Sequence, residues 1–230
     1  MIDIPLRLQL PASADGEREE YRYLIIHALD EVTSFLRSAG FELDPGGLID
    51  SVVVFDRASD TREHMAAALG VRPEDIPETF AGTVAGKRLF LVTRESYFRI
   101  WQGLYPDWPW NGLTYRGLVV HELTHLAHEE VAVSTFGSAD AMGPVWFFEG
   151  LAVMCARQFE TNEPLMTKEE MMHHVGGTTV PRVSYPLFGR LTRSLAGQYG
   201  LHELISRASE PGFPETLWSQ PWGSAGHLLP

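Results

Sequence analysis

The chain contains one cysteine, Cys155, in 230 residues. A single thiol cannot close an intrachain disulfide, so a disulfide framework is excluded and the fold must rest on its core. Cys155 lies in an apolar helical stretch and reads as a core residue rather than a nucleophile. Lysine is nearly absent: Lys87 and Lys168 are the two, against 16 Arg, and the formal net charge is −12. An acidic chain without a basic run argues against a nucleic-acid partner. The excess of carboxylates reads as solubility rather than as attraction for cationic substrates. Long apolar runs are also missing. None approaches the roughly 18 residues of a membrane span. Met1-Ile2-Asp3-Ile4-Pro5 has neither the basic region nor the apolar stretch of a leader peptide. The expectation is a cytoplasmic protein with no membrane span, secretion staying open if a leader has been removed. There is no internal repeat, low-complexity tract or long linker.

What the chain has is apolar material, at 44% hydrophobic content, enough for one good-sized core or two small lobes. Ile4–Leu10 alternates and predicts a strand. Gly16–Ala39 predicts a helix, with Tyr21, Leu24, Ile25, Ala28, Leu29, Val32, Phe35 and Leu36 recurring at three and four, and Gly40 ending it. Ser51–Phe55 predicts a short buried strand and Thr61–Leu69 a helix closed by Gly70. A loop is expected around Pro73 and Pro77. Ala81-Gly82-Thr83-Val84-Ala85-Gly86 leads into a strand at Arg88–Val92. Tyr97, Phe98, Trp101, Tyr105, Trp108 and Trp110 form an aromatic stretch that either walls a cleft or packs the core. A helix is expected from Asn111 or Gly112 to about Val133. Pro144 suits the first turn of the next helix. Further helices are expected at Lys168–Val175, Ser184–Gln198 and Leu201–Ala208, and a Pro- and Gly-rich tail from Pro211 with Trp218 and Trp222 on the surface.

The chemistry is concentrated in His121-Glu122-Leu123-Thr124-His125. On a helix, residues i and i+4 lie about 40° apart around the axis and about 6 Å apart along it. Two imidazoles so placed can reach one metal ion, with Glu122 beside them as a base. The flanks Leu118-Val119-Val120 and Leu123-Thr124 are uncharged, as a buried ligand helix requires. Glu149 follows 24 residues after His125, set among Trp146, Phe147, Phe148, Leu151 and Val153. A carboxylate in such company needs a cation or strong donors. His121, His125 and Glu149 together supply the three protein ligands of a catalytic Zn2+ with one position open. The elongated HExxHxxGxxH form would need Gly at 128 and His at 131; His128 and Val131 stand there, so that class is excluded.

The pair of motifs, His121–His125 and Trp146–Ala152, resembles the gluzincins and in particular the small peptidase MA-like group, whose hallmark is HELxH followed by W-[FL]-x-EG-x-A. The resemblance extends over roughly Ala81 to Gly200. It implies an α+β, zincin-like fold: a single catalytic domain over residues 1–230, with a mixed-sheet upper lobe (about 1–130) carrying the metal helix and a mostly helical lower lobe (about 131–230). The cleft between them would hold the metal. It implies zinc-dependent hydrolysis of a peptide or related amide, with a peptide or protein as substrate. It also implies that the strand region after Ala81 lies at a sheet edge, where an extended peptide could add itself as a strand; an ordinary hairpin is the alternative. Tyr185, opening a segment that ends in Tyr199-Gly200, matches a family tyrosine that stabilises the oxyanion, although Pro186 departs from the pattern and simple packing is the alternative. Arg182, Arg190 and Arg193 are other candidates for charge stabilisation. Thermolysin-like members carry Asp four residues after the Glu ligand; Val153 stands there. His128 shares the face of His121 and His125, and reads as a satisfied histidine more readily than as a site residue. The same holds for His173 and His174, expected in solvent.

Two other functions use the same residues. Two His and one carboxylate also form the facial triad of non-haem Fe(II) oxygenases. A catalytically silent metal-binding scaffold is the third reading, against which the presence of Glu122 argues. Oligomeric state is not legible.

Overall fold

The computed structural model describes residues 5–76, 81–104, 106, 114–160, 164–176 and 184–218. The chain is α+β, predominantly helical with a small four-stranded mixed sheet. It divides into two compact units, one of residues 1–34 and 44–127, the other of residues 35–43 and 128–230.

In the first unit the strands are β1 (Arg7–Gln9), β2 (Ser51–Phe55), β3 (Gly82–Ala85) and β4 (Arg88–Val92), in the order β1-β2-β4-β3. β1 and β4 both pair parallel to β2, and β3 pairs antiparallel to β4. Parallel neighbours need crossovers, and helices supply them. α1 (Arg18–Ser38) joins β1 to β2, after a 3-10 turn over Ala12–Glu17 that takes up the start of the expected helix. Glu19 and Glu20 in its first turn and Arg37 in its last complement the helix dipole. Its buried residues Tyr21, Ile25, Ala28, Leu29, Val32 and Leu36 follow the helical period. A short helix, α2 (Pro45–Leu48), is capped by the Asp44 carboxylate, which accepts from the Gly46 N–H at 3.0 Å. α3 (Ala58–Leu69) follows β2 and ends on Gly70 at φ +68°, the left-handed cap that glycine takes without strain.

The register assigns the two faces of the sheet. Phe55 and Phe90 lie on one face and pack with Met65 and Ala66 of α3 and with Ile76. Leu91, paired opposite Gly82, lies on the other. There it meets α5 (Tyr115–Phe136), whose Leu118 and Glu122 side chains lie against Gly82. The Tyr115 hydroxyl donates to the Val92 carbonyl at 2.6 Å and fastens the start of α5 to the end of β4. Between them runs α4 (Arg94–Leu104), where a run of aromatics was expected to serve a cleft or the core. Tyr97 and Trp101 are buried in the core. Tyr105, Trp108 and Trp110, and the expected helix start at Asn111 or Gly112, lie outside the described residues.

The second unit has helices and no strand among its described residues: α6 (Val145–Cys155), α7 (Lys168–Gly176), α8 (Tyr185–Tyr199), α9 (Leu201–Arg207) and α10 (Glu215–Trp218), with a 3-10 turn at Ala139–Met142. Pro144 is the N-cap of α6, one position before the first turn expected for it, with extended backbone at φ −71°, ψ 155°. The short α10 lies in the Pro- and Gly-rich tail; Trp222 lies outside the described residues. Among the described residues no helix is long and apolar enough to cross a membrane.

α6 and α8 pack closely because each offers a glycine. A Cβ on Gly189 would lie inside the Val153 side chain. One on Gly150 would lie inside the Thr192 hydroxyl and 2.5 Å from the Phe188 carbonyl oxygen. Part of that obstacle is backbone and cannot rotate away. Gly150→Ala should therefore cost about 3 kcal/mol, the upper end for overpacking, even though alanine is the better helix former. Truncating Thr192 to alanine should not restore the loss. Urea unfolding of the single and double variants measures both expectations.

Candidate metal centre

The first two turns of α5 place Tyr115, Leu118, Val119 and Val120 in the core, with Leu123 and Ala127 following. This apolar burial fixes the helix's rotation, and the residues between inherit their direction from it. His121 is 5% exposed and Glu122 8% exposed, while His125 is half-buried. The His121 and His125 Nε2 atoms stand 3.2 Å apart, with ring planes at 82°. Two donors each about 2.05 Å from an ion, at the tetrahedral angle, stand about 3.3 Å apart. The spacing of the imidazoles therefore suits a single small ion.

Glu149 is the fifth residue of α6, in its second turn, and half-buried. His121, His125 and Glu149 each offer a ligand atom, and these atoms all lie within 4.8 Å of one another. It is a group that can hold a metal ion. Two neutral nitrogens and one carboxylate oxygen are the donor types that zinc takes in catalytic sites, and iron(II) accepts the same set. No other group of this kind is found among the described residues.

The remaining candidates have other surroundings. His128 is buried and stands edge-on to Phe147, centroids 5.9 Å apart at 79°. His173 is exposed and its ring lies against His174. Val153, where thermolysin-like members have Asp, is buried against Gly189. Arg190 donates to the Pro164 carbonyl at 3.2 Å and Arg193 to the Phe159 carbonyl at 3.3 Å, so both tie α8 to the segment after α6. Burial pushes the Arg193 guanidinium below its ordinary range, with Glu160 opposing. Phe159 needs such support. It sits at φ +53° and its neighbour Arg157 at φ +51°, a left-handed region uncommon for residues with side chains. Tyr185 opens α8 and lies parallel to the buried Phe159 ring, centroids 6.5 Å apart. Arg182 lies outside the described residues.

Two neighbours of Glu122 carry no motif. Gly82 lies against its side chain. Tyr97 is fully buried, packs edge-to-face on Tyr115 at 5.6 Å, and has no hydrogen-bond partner for its hydroxyl among the described residues. Burial, then the negative charge of Glu122, hold the Tyr97 phenol well above its ordinary range. A glycine in the segment that the resemblance put at a sheet edge was the available signal for the first, since glycine in a strand often marks a close approach. The second has no local signature.

Compared with known proteins, the chain matches no family model, no curated protein and no solved structure.

A buried hydroxyl without an acceptor is a standing cost to the fold. Tyr97→Phe should raise stability by about 1 kcal/mol and leave metal binding unchanged. Thermal and urea unfolding beside metal analysis check it; a loss of stability would mean that the hydroxyl has a partner.

Proposed function

We propose that this protein is a zincin-like, gluzincin-type metallopeptidase that hydrolyses peptide or related amide bonds. The observation that carries the reading is the gathering of His121, His125 and Glu149 ligand atoms within 4.8 Å, with Glu122 adjoining His121 on the same helix. His121, His125 and Glu149 would hold the ion. When bound, Zn2+ lowers the pKa of a water in its open position toward about 7 and polarises a carbonyl. Glu122 accepts the proton of the attacking water and delivers it to the leaving amine. Its near-complete burial keeps competing solvent from the carboxylate. Tyr185 is the candidate donor to the oxygen that gains charge in the transition state.

The sheet adds support. β3 is an edge strand, and its first residue touches the base. An extended peptide pairing with β3 would run beside Glu122, with main-chain hydrogen bonds giving affinity that is tolerant of sequence.

Metal analysis of protein purified without added metal tests the assignment. One zinc per chain is expected, with severe loss in His121→Ala, His125→Ala or Glu149→Ala; full zinc in Glu149→Ala would remove it from the ligand set. Iron in place of zinc would instead favour the oxygenase reading. Glu122→Gln should keep both zinc and fold, and lose at least about a hundredfold in rate. Wild-type turnover in that variant would refute the mechanism.

Tyr185→Phe removes one hydroxyl and leaves the Phe159 contact. Its kcat should fall about tenfold to a thousandfold with KM little changed. An unchanged kcat would assign Tyr185 to packing alone.

A further inference from the structure

Glu122 is held on one side by a residue that has no side chain. Gly82 is buried at the start of β3, opposite Leu91 in the ladder. Its φ lies outside the left-handed region, so the backbone there suits any residue. The demand for glycine is one of space. A Cβ at position 82 would stand 3.1 Å from Glu122 Cγ, 3.1 Å from Leu91 Cδ2 and 3.3 Å from Leu118 Cδ1. At such distances the neighbours must give by a few tenths of an ångström. Leu91 is sealed in the sheet and Leu118 in the packed face of α5. Glu122, 8% exposed against 4% for Leu118 and 0% for Leu91, has the most room to shift.

We propose that Gly82 is a positioning residue: by leaving its Cβ site empty, the edge strand sets where the Glu122 carboxylate stands. The inference rests on the reading of Glu122 as the base. It assigns to β3 a second task, separate from pairing with substrate. An error of about 1 Å in a reacting group costs about a hundredfold, so a displacement of a few tenths is enough to be seen in turnover.

The test is a size series at position 82 in the zinc-loaded protein. Gly82→Ala should lower kcat about threefold to tenfold, and Gly82→Val about a hundredfold, each with KM within about twofold of wild type and full zinc content. If the glycine serves only the approach of an extended substrate, KM rises and kcat holds, and the proposal falls. A second measurement needs no activity. Urea unfolding of Gly82→Ala, Glu122→Ala and the double variant forms a cycle. Truncating Glu122 removes the Cγ that the new methyl meets, so the cost of Gly82→Ala should fall by at least about half in that background. Additive costs would overturn the contact. Should Gly82→Ala not fold alone, recovery in the double variant supports the proposal and its failure to recover refutes it. A wild-type protein that cleaves no peptide would defeat the functional reading, while the cycle would still decide whether Gly82 places Glu122.

Discussion

The seating of α5 on the Leu91 face of the sheet is the constraint from which the candidate centre follows. Leu118, Val119, Val120 and Leu123 are buried, and the Tyr115 hydroxyl holds the first turn to the end of β4. Once those apolar side chains choose their direction, the helix has no rotational freedom left. His121 and His125 then project together and Glu122 is turned toward β3. Polar residues within a buried helix are costly unless something compensates them. The apolar stripe here orients groups that it could not itself stabilise.

Much of this was legible in the sequence, for a definite reason. Ser51–Phe55 and the helices at 18–38, 185–199 and 201–207 fall where periodicity and glycine stops place them. The spacing of His121, Glu122 and His125 is a property of one helix, and local sequence reports one helix well. Glu149 was legible because a lone acid among aromatics is an anomaly that asks for a cation. The rest depends on contacts between distant segments. The strand order, with β4 inserted between β2 and β3, leaves no mark on any single strand. α4 was masked by its aromatics, which were read as cleft wall or packing and left its helical spacing of Tyr97 and Trp101 unread. Gly82, Gly150 and Gly189 matter through what lies opposite them, and a sequence does not print its neighbours.

A cluster of tyrosines supports the sheet end of α5. Tyr115 meets Tyr21 at 5.9 Å and Tyr97 at 5.6 Å, edge-to-face in both cases. Burial raises the phenol of each above its ordinary range. These phenols therefore stay neutral, and the support beneath the helix carries no charge of its own.

The glycine after Glu149 carries a consequence for how such a centre can diverge. Gly150 lets α6 lie directly on α8, with the Phe188 main chain beside the Thr192 side chain as the opposing surface. Side-chain contacts can drift by compensating exchanges, one partner shrinking as the other grows. A contact against main chain offers no such exchange. The position of the acid is thus inherited from the spacing of two helices. Lineages descending from this sequence would be free to repaint the walls of the site, yet would find the acid's address on α6 among the last things they could rewrite.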